Sequence, residues 1–198
     1  MKKRKAAQKQ RRATEKPRRI IAYIATSADG YIARPDGNVD WLNRPMPKGQ
    51  YGMGDFFKTI DTILWGRKTY VEAVEKGMKA TGYGSGIRNY VFSRMPQKSS
   101  TQSVEFVSGS IKSFAQELRA RAGKDIWMMG GGSIIASFLD EREIDEFVIH
   151  VIPILIGEGI PLVQPRHRSI PLELLSGKIF PDGVVRLHYR VGVPPDAR

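Results

Sequence analysis

The stretch DIWMMGGGSIIASFLD, residues 125–140, restricts the possible folds more than any other part of this chain. Its apolar run IWMM, residues 126–129, reads as a strand that leads directly into Gly130, Gly131 and Gly132. Ser133 then stands as an N-cap, and Ile134, Ile135, Phe138 and Leu139 share one face of the helix predicted to follow. Such a strand, turn and helix aims free backbone N–H groups and the positive helix end at one point. An anion such as a pyrophosphate is held at such a point, and glycines let it approach without a side chain in the way. A tight glycine-rich turn with no ligand is the plainer account of the same residues.

The flanking pattern supplies the rest of an α/β chain. Strands are predicted at 20–26, 62–65, 89–93, 104–107 and 126–129, and helices at 55–60, 67–75, 110–122 and 133–140. Residues 27–37, 43–54 and 76–88 read as loops, although Tyr31-Ile32 forms a short apolar pair inside the first. Beyond 145 the pattern changes to strands alone, at 146–154, 172–180 and 184–191, the last two joined by the turn Pro181-Asp182-Gly183. Alternation followed by strands alone predicts a mixed sheet, mainly parallel, extended by antiparallel C-terminal strands and flanked by helices. With 198 residues and no interdomain linker, one domain is expected.

The charge is concentrated in a tail. Residues 1–19 hold ten Lys/Arg and one Glu, which leaves 22 Lys/Arg against 19 Asp/Glu, or +3, in the other 179. A like-charged block without apolar periodicity predicts a disordered basic tail over 1–18, ahead of a folded domain over 19–198. Weak, non-specific contact with nucleic acid is the interaction such a tail offers. The chain has no cysteine, which excludes disulfides, thiolate metal sites and cysteine nucleophiles and fits a reducing, cytoplasmic setting. No apolar run approaches the roughly 18 residues a membrane span needs. His150, His167 and His188 lack metal-ligand spacing, and no Ser–His–Asp arrangement emerges. Trp65, Trp127 and Met128-Met129 read as core.

Ligands of open α/β sheets bind at the carboxyl ends of the strands. Three predicted strand ends here carry suitable residues: Gly66-Arg67-Lys68-Thr69, Ser93-Arg94, and the turn from Gly130 to Ser133. Cations at a helix N-terminus are electrostatically unfavourable without an anion nearby, although Arg67, Lys68 and Arg94 also read as ordinary exposed residues. Together the three ends outline one phosphate cradle beside two or three cations. NADPH, a dinucleotide with an extra phosphate, has its charges distributed in this way. The fingerprint G-x-G-x-x-G is absent, because Ile135 occupies its last position, and the glycines of 82–86 lack a strand–turn–helix context.

The segments ATSADGYIARPDG, TILWGRKTY, YVFSR, IWMMGGGSIIASFLD and IPILIGEGIPL, in this order, resemble the dihydrofolate-reductase-like superfamily. The branch resembled is the reductase domain of the bifunctional riboflavin-biosynthesis deaminase–reductase and its stand-alone relatives, over residues 19–191. The resemblance implies an NADPH-dependent reductase of a small pyrimidine- or pterin-like substrate, such as 5-amino-6-(5-phosphoribosylamino)uracil. Gly130, Gly131, Gly132 and Ser133 would then cradle the pyrophosphate. Gly66, Arg67, Lys68 and Thr69 would contact the phosphates, Ser93 and Arg94 would flank the adenosine, and Ala25 and residues 29–32 would lie beside the nicotinamide. A homodimer through C-terminal strands, around 146–162, is implied as well. The other classes left open are dihydrofolate reduction, nucleotide binding without catalysis, and RNA association through the tail.

A reductase also needs a proton donor near its substrate. Candidates are Asp29 in an Asp-Gly turn, Asp40 beside Trp41, and Asp55 at a helix start. Shielding by Trp41 is expected to raise the Asp40 pKa, and N-capping is the simpler role for Asp55.

Overall fold

The computed structural model describes residues 17–78, 86–95 and 102–192. Eight strands form one sheet in the order β5-β4-β3-β6-β1-β7-β10-β9. They are β1 (Ile20–Ser27), β3 (Ile60–Gly66), β4 (Arg88–Phe92), β5 (Val104–Val107), β6 (Asp125–Gly130), β7 (Glu146–Ile152), β9 (Leu172–Ile179) and β10 (Val185–Val191). The strands from β5 to β7 run parallel, and β10 and β9 are antiparallel. The short strands β2 (Tyr31–Ala33) and β8 (Ile160–Pro161) pair separately. Sequence pattern alone does not predict β8 as a strand, because two residues carry no period.

Four helices flank the sheet among the described residues: α1 (Met53–Thr59), α2 (Arg67–Glu75), α3 (Ile111–Ala120) and α4 (Gly132–Asp140). Tyr70 of α2, with Phe56 and Phe57 of α1, packs on one face against Ile63, Trp65, Val91 and Trp127. Ala115 and Leu118 of α3 and Ile135, Phe138 and Leu139 of α4 pack on the other, against Ile20, Ala22, Leu64, Ile126 and Met128. Covered on both faces, β1 reads as an unbroken apolar run. The mainly parallel mixed sheet with antiparallel C-terminal strands is therefore observed.

The last three strands differ. Register places Ile149 opposite Leu187, Val151 opposite Val185, and Leu187's strand neighbours Tyr189 and Val191 opposite Leu174 and Leu172. This apolar face continues the α4 side of the sheet, yet Leu172, Leu174 and Ile179 are exposed by 45%, 57% and 78%.

Ionic contacts tie together the amino ends of the strands. Arg18 is 6% exposed, pairs with Asp61, and donates to Thr62 Oγ1 at 2.7 Å and the Leu118 carbonyl at 3.3 Å. Arg19 pairs with Asp125 and Glu146, and Arg119 with Glu143 and Asp145. Arg18 thus belongs to the packed fold and not to the solvated tail with which its charge groups it; residues 1–16 lie outside the described residues.

Candidate functional site

The carboxyl ends of β3 and β6 lie side by side, Trp65 opposite Gly130. The helices that follow leave for opposite faces of the sheet, so a crevice opens between them. Gly66 caps α2 and Gly131 caps α4, and neither helix start has a side-chain cap. Two sets of first-turn N–H groups therefore face the same crevice. This corrects the Ser133 N-cap expectation: Ser133 lies inside α4, exposed, and its carbonyl accepts from the Ser137 hydroxyl at 3.0 Å.

The three glycines have separate reasons for being glycine. Gly130 has φ +104°, a conformation that side chains rarely adopt, and its peptide bond to Gly131 is cis. A Cβ on Gly131 would stand 3.1 Å from Thr69 Oγ1 and 3.6 Å from Ile32 Cδ1. A Cβ on Gly132 would overlap the Pro161 carbonyl oxygen, so that glycine admits the chain leaving β8. Gly66 is closed in from the other side, where a Cβ would meet Ile134 Cγ2 at 3.3 Å and Gly130 O at 3.4 Å.

Arg67 and Lys68 open α2 in solvent, and Thr69 reaches over Gly131. Gly66 is opposite Phe92, so Ser93 and the exposed Arg94 follow immediately on the neighbouring strand. None of Arg67, Lys68 and Arg94 makes an ion pair among the described residues. On the far side of β6, Ala25 of β1 is level with His150 of β7.

The three aspartates do not converge. Asp29 accepts from the Gly157 N–H at 2.8 Å and the Ile156 N–H at 3.2 Å, tying the β1–β2 turn to the chain ahead of β8. Asp40 pairs with Arg34, and that hydrogen bond holds its carboxyl below the usual range, so the rise expected from Trp41 does not occur. Asp55 pairs with Lys58 on the exposed face of α1, whose N-cap is Gly52; the N-capping role is corrected too.

Other groups surround Ala25. Ala25 packs at the edge of a cluster formed by Trp41, Ile152, Phe180 and Val184, with Tyr51 and Ile156 beside it. Trp65 Nε1 donates to Asn89 and Trp127 Nε1 to the Tyr23 carbonyl, both at 2.9 Å, whereas the buried Trp41 Nε1 has no hydrogen-bond partner among the described residues. His150 is 4% exposed, with Nε2 3.3 Å from the Tyr23 hydroxyl. Burial pushes His150 down to about 4 and Tyr23 up to about 12, so both are neutral at pH 7. Strand period hides this pair, because Tyr23 and His150 are distant in sequence and meet only through the β1–β7 register. Among the described residues no three His, Asp or Glu side chains are grouped to hold a metal ion.

The family model of the RibD C-terminal domain matches residues 18–185, the whole of this sheet except nearly all of its last strand, β10. The chain belongs to the RibD C-terminal domain family. The Bacillus subtilis protein YwjB is 37% identical over 172 residues, covering 87% of this chain and 97% of its own. A candidate riboflavin biosynthesis protein from Shewanella sp. PV-4 superimposes with a TM-score of 0.79 at 27% identity, over 88% of this chain and 99% of that one. The Thermotoga maritima deaminase/5-amino-6-(5-phosphoribosylamino)uracil reductase matches with a TM-score of 0.65 at 16% identity, over 88% of this chain and 56% of its own. Dihydrofolate reductase from Enterococcus faecalis, complexed with NADP(H), matches with 0.64 at 14%, over 88% and 97%. The last two likenesses establish a shared fold, that of dihydrofolate reductase. Membership of this reductase-domain family marks the chain as oxidoreductase-like and related to riboflavin biosynthesis. No helix among the described residues is long and apolar enough to cross a membrane.

Proposed function

We propose that the chain is an NADPH-dependent reductase of a small, planar pyrimidine- or pterin-like heterocycle. The observation that carries this reading is the crevice between two adjacent glycine-ended strands, with two helix starts lacking side-chain caps and with Arg67 and Lys68, without an ionic partner among the described residues, at its rim. The residues fit the cofactor: Gly131 leaves open the space that a Cβ would fill beside Thr69, and the helix starts offer N–H donors to a pyrophosphate. From β4 to β1 is three strand steps, about 14 Å. Along that line Ser93 and Arg94 would flank the adenosine, and Arg67 and Lys68 the 2′-phosphate. Gly66, Thr69 and Gly130 to Ser133 would hold the pyrophosphate, and Ala25 would leave room for the nicotinamide.

When bound, the nicotinamide supplies the hydride. Trp41, Tyr51, Phe180 and Ile156 pack around Ala25 and exclude water there. Asp29, Asp40 and Asp55, each held ionised by its partners, are poor general acids. Tyr23 retains its proton and hydrogen-bonds His150, which makes this pair the better proton-holding element. The same three aspartates favour a second reading, cofactor binding without turnover.

Titrating the chain with NADPH and NADH while following tryptophan fluorescence tests the cofactor. The expected result is NADPH binding at least tenfold tighter, and no binding of either nucleotide refutes the assignment. A turnover screen with pyrimidine- and pterin-type substrates then separates catalysis from binding alone. We also propose that a second copy covers the bare apolar face of β7, β10 and β9, somewhat beyond the 146–162 range that the resemblance implies. Light scattering should show a dimer that Leu174→Glu converts to monomer; a monomeric wild-type chain removes this element.

A further inference from the structure

Arg186, His188 and Arg190 alternate along β10 and so share one face of the sheet, the face on which α1 packs. His188 Nε2 lies 2.8 Å from a Glu146 oxygen, and Arg190 pairs with Glu173 at 2.8 Å. Arg186 differs, because no carboxylate among the described residues pairs with it. Its register neighbours are the buried His150 of β7 and a second cation, Lys178 of β9. Lys178 is exposed, has no ionic partner among the described residues either, and holds its Nζ 4.9 Å from the centre of the Phe180 ring. Asp182, in the turn joining the two strands, is engaged elsewhere by the Tyr51 hydroxyl and by Arg44. Arg186 itself is half-buried yet open. Its Nη1 reaches the Tyr51 carbonyl at 3.5 Å, while Nε and Nη2 make no hydrogen bond among the described residues and stay in contact with solvent.

Like charges directly opposite on neighbouring strands stand about 5 Å apart at Cβ and repel. A bound anion removes that repulsion and takes up the free donors. The edge of the guanidinium that carries Nε and Nη2 offers two parallel N–H groups to a pair of oxygens, and the ammonium adds a mobile point charge beside it. Two uncompensated charges match a dianion, which a phosphate monoester becomes at neutral pH, whereas one carboxylate balances only half of them. We propose that Arg186 and Lys178 bind the phosphate group of a small phosphorylated molecule. Ala25 lies in the same row across the sheet, two strand steps or about 10 Å from Arg186. The phosphate therefore comes either from a substituent on a ligand that extends toward Ala25 or from phosphate bound on its own. The inference does not rest on the reductase reading, because β10 and β9 are three and four strands away from β6 and its glycines.

Calorimetric titration of the full chain, in phosphate-free buffer at low salt, with uridine 5′-monophosphate, uridine and inorganic phosphate tests it. The monophosphate is expected to bind at least tenfold more tightly than uridine, with that preference abolished in Arg186→Gln and reduced in Lys178→Gln. Tighter binding of the monophosphate than of inorganic phosphate assigns the group to a larger ligand, and equal binding of the two assigns it to phosphate on its own. Arg67→Gln alters the crevice alone and should leave the preference intact, so a failure of the cofactor assignment is read separately. Equal affinity for the monophosphate and uridine, or a preference that is lost with Arg67 and kept without Arg186, overturns the proposal. If Arg186→Gln does not fold, the full preference surviving in Lys178→Glu, a change at an exposed position of an edge strand, overturns it as well.

Discussion

At the amino ends of the strands, Arg18, Arg19 and Arg119 are each tied to carboxylates. At the carboxyl ends, Arg67, Lys68 and Arg94 stand in or near solvent with no ionic partner among the described residues. The sheet thus carries cations at both ends but neutralises them at one. Paired and partly buried, the first group closes the bottom of the sheet, where Arg18 alone reaches Asp61, Thr62 and a carbonyl at the end of α3. The second group sits where two helix starts already make the potential positive, so it serves the fold poorly and an anionic ligand well. Side chains of one type, read by position and pairing, separate what holds the domain together from what it offers to a partner.

The largest effect expected at either end is the loss of Arg18. Arg18→Ala removes the ion pair with Asp61 and the donors to Thr62 Oγ1 and to the Leu118 and Lys124 carbonyls, and should cost roughly 4 kcal/mol in urea denaturation. A cost below 1 kcal/mol would remove the structural half of the comparison. Acid sharpens it next, through His150 beside Ala25. Its ordinary value is 6.5 and burial pushes it down to about 4, so the unfolded chain takes up a proton that the folded one refuses. The stability from keeping His150 neutral is complete above pH 6.5 and is lost as pH falls toward 4, by about 3 kcal/mol. Urea midpoints at pH 7 and pH 4.5 should differ less in His150→Leu than in the wild-type chain.

Arg67→Gln is the counterpart of Arg18→Ala. It should leave the urea midpoint unchanged while weakening NADPH about tenfold and NADH not at all, as nucleotide titration would show. A fall in stability without a change in nucleotide preference would reverse the comparison. The smallest effect is expected at Asp55, exposed and paired only with Lys58 within one helix. Turnover by Asp55→Asn should match the wild-type chain, and a large loss would restore Asp55 as the acid.

The strand–glycine–helix units were legible because hydrophobic period and glycine punctuation are local signals. Arg67 to Glu75 and Val104 to Val107 have the limits that period predicts. Individual polar side chains were less legible, since their meaning depends on contacts made across the fold. Arg18 looks like the end of a basic run until Asp61 and Leu118 surround it. Asp40 looks shielded by its sequence neighbour Trp41 until Arg34 reaches it. His150 looks like one more strand residue until register sets it against Tyr23. Within GGG, period marks a turn, but only the path of Pro161 distinguishes Gly132, packed against backbone, from Gly131, which faces the Thr69 and Ile32 side chains.

That path also limits how the chain can be dissected. Residues 125–140 look like a portable β-α module, yet Gly132 is roofed by the backbone at Pro161 and Leu162, and Gln164 N–H reaches its carbonyl at 3.4 Å. A truncation after Ile152 would strip this roof and leave the helix start facing water. Grafting the module elsewhere, or opening the chain between 153 and 164 for circular permutation, meets the same obstacle. Opening the hairpin turn 181–183 spares the glycines but cuts the Asp182 contacts to Tyr51 and Arg44.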